Sequence, residues 1–512
     1  MAGVNPYGYH RWFKNAILSA FKGIDVTDPE LGLLPGTKNM TSFGDTGIVC
    51  NRWGTTDFAT VPGTASHYIF FSQVLGKLFS EEGTTLAVYD KATASRSTVT
   101  GTLASSSKAP MVEFNGAAYI NVPTDTVYHT DGSTKTAPSF DAGHPGGKAI
   151  AVWQNKVWAS DNGGKTVYWS NAGDGTTWTT STDFVSIRET DDPSAITAMG
   201  VGQGMDVIGR AGLLVFCARS AYRITDSSTG AYITIDDETG VPGPEAVASD
   251  GSIVMICNRR GVFEMKKPNG PGAFVMVSQP IQPLWDRGSA DWDTNGDHYI
   301  ATYSAGSFYF SNGATLFELN PRTGGWFVHA IWDGSTEHTI ISASAAYGTG
   351  STTFYDLMPA WVLIDNGTRI VRLWEPATAS SGLVPLTDYA GSSPTCIFVS
   401  PWVGGGLDKI RIRRLVIEGC IPSDGQFGTY LDMGNSRNVR TMPSMVLSGT
   451  SSTRLLYGEI HSLGAPRSIA IDLRSSTLSN YTFTDPSAAL SRVLPGFQVA
   501  SLRFDMLPQF RG

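Results

Sequence analysis

The stretch FYFSNGATLFEL (308–319) reads as two short strands around a turn residue, Asn312. Aromatic and aliphatic residues crowd both sides of the turn, which is the composition of a β-hairpin. The same unit recurs before and after it. It is seen in FFSQVLGKLF (70–79), VEFNGAAYI (112–120), VWASDNGGKTVYW (157–169), LLVFCARSAYRI (213–224), IVMICNRRGVFEM (253–265) and WVLIDNGTRIVRLW (361–374). Their turn markers, Gly76, Gly116, Gly163, Arg219, Arg260, Asn312 and Asn366, are 40, 47, 56, 41, 52 and 54 residues apart. Several short strands in a period of that size is what a β-propeller blade requires. One blade cannot bury both its faces, but blades stacked around an axis can. The chain is therefore expected to be mainly β, with a propeller of six or seven blades. An array of β-sandwiches is the competing architecture.

Working outward, four regions are expected. Residues 1–60 hold a short N-terminal helix and an extended segment, a candidate contact between subunits. The helix is inferred from Trp12, Phe13, Ala16, Ile17, Ala20 and Phe21, which share one face at helical spacing, with Gly23 as a stop. Residues 61–376 form the propeller, with the loop 225–240 as an insertion between blades. Residues 377–395 are Ser, Gly and Pro rich and read as a linker. Residues 396–512 are expected to form an antiparallel β domain. Its strand patterns are KIRIRRLVIEG (409–419), SIAIDL (468–473) and FQVASLRF (497–504). In the first, Lys409, Arg411 and Arg413 alternate with Ile410 and Ile412, and Arg414 falls on the otherwise apolar face.

Composition narrows the function. Of 512 residues, 41% are apolar and 11% aromatic, too many for a disordered chain. The longest apolar run, 211–218, is far short of a membrane span, and the N-terminus lacks a signal-peptide layout. The five cysteines (Cys50, Cys217, Cys257, Cys396, Cys420) are scattered and never in CxxC spacing, which argues against zinc and a disulfide framework and for folding in a reducing cytosol. The net charge of −8 argues against a duplex-binding face. Residues 396–512 carry 12 Lys/Arg and 8 Asp/Glu, leaving twelve excess acids in residues 1–395.

No motif assigns a catalytic, cofactor-binding or metal residue. Asp291, Asp293, Asn295 and Gly296 imitate the start of a calcium loop, but Thr302 stands where a bidentate acid is needed, so a plain turn is expected. NAGDGTTW (171–178) resembles a degenerate Asp-box, a turn device of sialidase-type propellers. The eight histidines include no HExxH, and no nucleophile elbow or phosphate loop is present. GVGQG (200–204) is a fragment of a dinucleotide fingerprint with no helix after it. The acid pairs Asp191/Asp192 and Asp236/Asp237 lie in polar loops. The basic run Lys409 to Arg414 suits a solvated or inter-subunit face better than a phosphate site.

Three consecutive segments carry a family resemblance. They are VWQNKVWASDNGGKTVYWSNAGDGTTW (152–178), PSAITAMGVGQGMDVIGRAGLLVFCARSAYRIT (193–225) and GVPGPEAVASDGSIVMICNRRGVFEM (240–265). With GIDVTDP (23–29), LLP (33–35) and RWG (52–54), this order resembles the propeller proteins of short-tailed bacteriophage tails, the tail nozzle or tail-hub class. The resemblance implies a structural virion protein, assembled in the host cytoplasm, with no cofactor and no catalytic residues. It implies a self-associated ring, a hexamer, below the portal and adaptor proteins. Such a ring would extend and gate the DNA ejection channel and support tail spikes or fibres. Double-stranded DNA would pass through without tight binding, since Lys/Arg on the wall would stall it. Part of the acidic excess in residues 1–395 is expected to line the lumen. The alternatives are a propeller glycosidase or sialidase, whose two carboxylates would face each other across a cleft, and a carbohydrate-binding propeller.

Overall fold

The computed structural model describes residues 54–373, except 145, 188–191, 203–211, 267–272, 289–297, 305, 334 and 346–359. Outside that span it describes 14–19, 23–25, 32–33, 37–42, 49–52, 396–400, 403–404, 409–420, 426–432, 454–458, 468–475, 481–484, 491–494 and 498–509. The linker 377–395 and the calcium-loop imitation at 291–297 lie outside the described residues.

The hairpins belong to a seven-bladed β-propeller. Blade one is Ser66–Ser72, Lys77–Glu82, Thr85–Asp90 and Arg96–Thr102. Blades two to six span 111–136, 150–186, 196–236, 247–276 and 299–329, each a four-stranded antiparallel sheet. The first strand of every blade is innermost and lies beside the first strands of both neighbours, so the inner wall runs unbroken around the ring. Each sequence hairpin belongs to a different blade. The first two join strands one and two, and the other five join strands two and three, hence their unequal spacing.

Blade seven closes the ring. Ser342–Ala345, Ala360–Ile364 and Arg369–Leu373 take their fourth strand from Thr56–Thr60. The pairing is antiparallel, with Arg369 opposite Thr60 and Arg372 opposite Thr56. The propeller thus begins before residue 61. Aromatic packing seals the same seam: Phe71 stacks on Trp361 at 4.2 Å, and the Phe58 ring meets Trp361 edge-on at 6.3 Å. Comparable apolar clusters fill the other seams, and Trp158, Trp169, Trp178, Trp285, Trp326 and Trp361 are fully buried.

Two expectations are corrected. The N-terminal segment is a strand, Lys14–Ser19, not a helix. It pairs antiparallel with Gln498–Gln509, placing Ala16 opposite Phe504 and Leu18 opposite Leu502. Trp12, Phe13, Ala20 and Phe21 lie outside the described residues. A short apolar run fits either period, and a lone helix of that length is marginal, so the ladder decides. The loop 225–240 is not a plain insertion, because Tyr232–Asp236 is the outer strand of blade four. Outer strands are half solvated, and their weak apolar signal reads as loop.

The three strand patterns of the tail are present as Lys409–Cys420, Ser468–Ser475 and Gln498–Gln509. Among the described residues, Ser468–Ser475 pairs only with other tail strands, but the sheet that holds the other two includes N-terminal strands. Gln498–Gln509 is flanked by Lys409–Cys420 on one side and by N-terminal strands, Lys14–Ser19 and Val49–Asn51, on the other. A register shift between Ile412 and Arg414 puts Arg414 opposite Asp505 and Leu415 opposite Phe504.

Candidate functional site

The most concentrated chemistry among the described residues lies at one end of the propeller axis. Glu245 is on the connector that enters blade five, and Lys108 is on the connector that enters blade two. Three blades separate them around the ring, so their contact crosses the centre. The Lys108 ammonium and the Glu245 carboxylate form an ion pair in which both side chains are only 6% exposed. Further hydrogen bonds brace the pair. Glu245 Oε1 accepts from Ser342 Oγ at 2.5 Å and from the Ala343 amide at 3.1 Å, while Lys108 Nζ also donates to the Ile341 carbonyl at 2.9 Å. Ser342 Oγ in turn accepts from the Ile69 amide of blade one at 3.0 Å. Beside this pair, the fully buried Glu81 accepts from the Ala109 amide at 3.1 Å, and His67 Nε2 lies 3.0 Å from its Oε2. Tyr68 Oη accepts from the Met111 amide at 3.2 Å.

Burial governs the electrostatics. It pushes the Glu245 carboxyl up, and the Lys108 charge opposes that push. It also raises Glu81, against a hydrogen bond and charge from His67. Tyr68 is raised by burial, with a further push from Glu245, so its phenol stays protonated. The arrangement is a plug: Lys108 and Glu245 match each other's charge, and its hydrogen bonds tie blades one, two, five, six and seven, since the Ala301 amide donates to the Glu245 carbonyl at 2.7 Å. None of these residues was picked out in the sequence. Lys108 stands in the polar run SSSKAP (105–110) and Glu245 in the turn PGPE (242–245), contexts that read as solvated loops.

A second buried polar group fixes the N-terminal segment to blade six. Glu318 accepts from Ser307 Oγ at 2.8 Å and from Thr41 Oγ1 at 2.9 Å, and His329 Nε2 lies 2.8 Å from its other oxygen. Next to it, Arg52 (1% exposed) donates to Asn39 Oδ1 at 3.0 Å and to the Ala330 carbonyl at 2.6 Å. Lys38 exchanges main-chain hydrogen bonds with Ile397 at 2.8 and 2.9 Å, continuing the connection into the tail. His329 therefore belongs to a structural cluster. His338, nine residues on, instead sits 2.9 Å from Asp333 Oδ2.

The sequence-flagged acids hold turns. Asp174, in the Asp-box-like stretch, accepts from the Thr176 amide at 2.8 Å and its hydroxyl at 2.6 Å, while Trp178 Nε1 donates to the Gly175 carbonyl at 2.8 Å and the ring is buried. Asp192 is buried and accepts from the Ser194 amide at 2.9 Å and Ser220 Oγ at 2.6 Å. Asp236 accepts from the Glu238 and Thr239 amides at 3.0 and 2.7 Å, and Asp237 is exposed. Asp191 lies outside the described residues, as does part of 200–204. Repeated D-x-S/T turns at Asp131, Asp226, Asp250 and Asp333 follow the same plan, each carboxylate accepting from the amide two residues on. Cys217 and Cys257 are free and buried, and the buried Cys396 donates its thiol to the Asn39 carbonyl at 3.4 Å. Among the described residues no His/Cys/Asp/Glu group could hold a metal ion, and no helix is long and apolar enough to cross a membrane.

No protein-family model matches the chain, and no curated protein matches it. Solved structures do. The computationally designed Ika8 protein aligns over 62% of this chain and 99% of its own, at 12% identity and TM-score 0.38. BamB from Moraxella catarrhalis aligns over 67% and 97%, at 11% identity and TM-score 0.37. A chain of the Mitotic Checkpoint Complex aligns over 63% and 93%, at 10% identity and TM-score 0.41.

Proposed function

We propose that this chain is a structural component of a short bacteriophage tail, a nozzle subunit. In this reading, copies form a ring, six in number, that extends and gates the DNA ejection channel below the portal and adaptor proteins. The ring supports spikes or fibres and performs no catalysis of its own. The observation that carries the reading is the ordered resemblance over 152–265, whose three segments fold as blades three, four and five in succession.

Two features of the fold support it. The propeller axis is stoppered by Lys108 and Glu245, so a passage for a duplex has to be formed between copies rather than through one. The acidic excess is also localised. Residues 277–395, which include blades six and seven, hold 11 Asp/Glu and only 4 Lys/Arg. A wall of that composition repels a polyanion and keeps it mobile. Electron microscopy of the purified full-length chain tests the proposal. A closed ring with a central opening wide enough for a duplex, bordered by blades six and seven, is expected. A ring whose lumen is uniformly basic, or dispersed single propellers, contradicts it.

A further inference from the structure

The connector between blades two and three, described at residues 137–144 and 146–149, is held by both blades: the Gly146 and Gly147 amides donate to the Asp125 carbonyl at 2.8 Å and to Asn121 Oδ1 at 2.9 Å on the blade-two side, and its earlier residues are tied to blade three. Ser139 and Phe140 pair in parallel with Thr177 and Trp178. Asp141 accepts from Thr180 Oγ1 at 2.9 Å and from the Ser181 amide at 3.1 Å. Just after these ties, His144 is pressed into a pocket of rings. Its imidazole lies 4.7 Å from Tyr168, 5.6 Å from Trp178 and 5.7 Å from Phe140, centroid to centroid. It is 5% exposed, and among the described residues neither ring nitrogen makes a well-formed hydrogen bond, with only the main-chain carbonyls of His144 and Ala159 acting on its proton.

We infer that His144 is an acid-release pin: neutral, it holds the connector against blade three, and protonated, it leaves the aromatic pocket and frees the segment. A neutral imidazole fills the pocket as an aromatic ring. An imidazolium there would be a desolvated charge with no counter-charge and only weak main-chain acceptors for its two donors. Burial accordingly depresses the imidazole to about 4, with only the main-chain carbonyls of His144 and Ala159 favouring its proton. The groups around it do not supply a counter-charge. Tyr168 is raised by burial and by Asp161, so it stays protonated, and Asp161 itself is raised by burial. The connector's own Asp141 is exposed and held low by Ser181, and Lys148 is exposed. The folded state binds the His144 proton less tightly than the unfolded state. The pin is therefore at full strength above the ordinary imidazole range and weakens as pH falls toward its depressed value.

Hydrogen–deuterium exchange of the full-length chain at pH 7 and pH 4.5, corrected for intrinsic rate, tests this. Exchange in the 139–147 peptide is expected to rise at least about tenfold at pH 4.5, with the inner strands of blades two and three still protected. His144→Phe, which keeps a ring and removes the titration, should abolish the rise. If that variant does not fold, His144→Gln should abolish it instead. Asp141→Asn separates the other titrating group on the connector and should leave the rise in place. A flat wild-type profile overturns the inference, and so does an equal rise in the folded His144 variant or loss of the rise in Asp141→Asn.

Discussion

Lys108 and Glu245 form an ion pair across the propeller axis although their connectors enter blades three positions apart. Its removal has an asymmetric cost. Taking away one partner strands a buried charge, whereas taking away both leaves an apolar plug. Lys108→Met or Glu245→Leu alone should each cost about 3–5 kcal/mol, and the double variant should cost much less than their sum. Urea unfolding of the four proteins in a double-mutant cycle reads this directly. Additive losses would mean that the pair contributes no coupling.

Ring closure depends on the strand at Thr56–Thr60 and on the rings beneath it. Trp361→Ala removes the ring that Phe71 and Phe58 pack against and should cost about 3–5 kcal/mol. Removing residues 1–60 should open the seam between blades one and seven. Fast amide exchange in Arg369–Leu373 is then expected, because its partner strand is gone. Unchanged protection there would mean another segment closes the blade.

Gly367 and Gly324 make an internally controlled pair. Both have positive φ, 87° and 68°. A Cβ on Gly367 would lie 2.0 Å from the Ser66 carbonyl oxygen, while one on Gly324 meets nothing within 4 Å. Gly324→Ala should cost about 1–2 kcal/mol from backbone strain alone. Gly367→Ala carries that strain plus a main-chain clash at the closing seam, and should lower the thermal midpoint clearly further. Equal shifts would show that the seam yields without cost.

Much of the fold could be read from residues such as Asn312, Asn366 and Gly116, because a hairpin turn advertises itself locally. Blade number and closure could not. The strand at Thr56–Thr60 pairs with Arg369–Leu373 across the rest of the propeller's sequence, and nothing in TDFAT announces that pairing. The misread helix at Lys14–Ser19 has the same origin, since its partner lies almost 500 residues away in Gln498–Gln509. The axis plug was hidden for a related reason. Lys108 and Glu245 look like loop charges until the ring brings their connectors to one point.

Asp192 gives a pH prediction. Burial alone would raise its carboxyl, but hydrogen bonds from Ser194, Ser220 and the Arg219 amide outweigh that and hold it below the ordinary value. The unfolded chain therefore binds this proton more tightly. The stabilisation is complete above the ordinary aspartate range and is lost as pH falls through the depressed value. Asp192→Ala should cost about 1–3 kcal/mol at neutral pH by leaving buried donors unmatched. It should also flatten the acid limb of the stability curve. An unchanged acid limb would remove Asp192 from the account of acid sensitivity.

The proposed role is mechanical: the propeller would serve as the building block of a ring, its buried polar groups holding blades together. Native mass measurement of the full-length protein at micromolar concentration tests it most directly. A discrete six-chain particle, stable to dilution and without glycan-hydrolysing activity, is the expected result. A single-chain species that turns over a glycan substrate would contradict it.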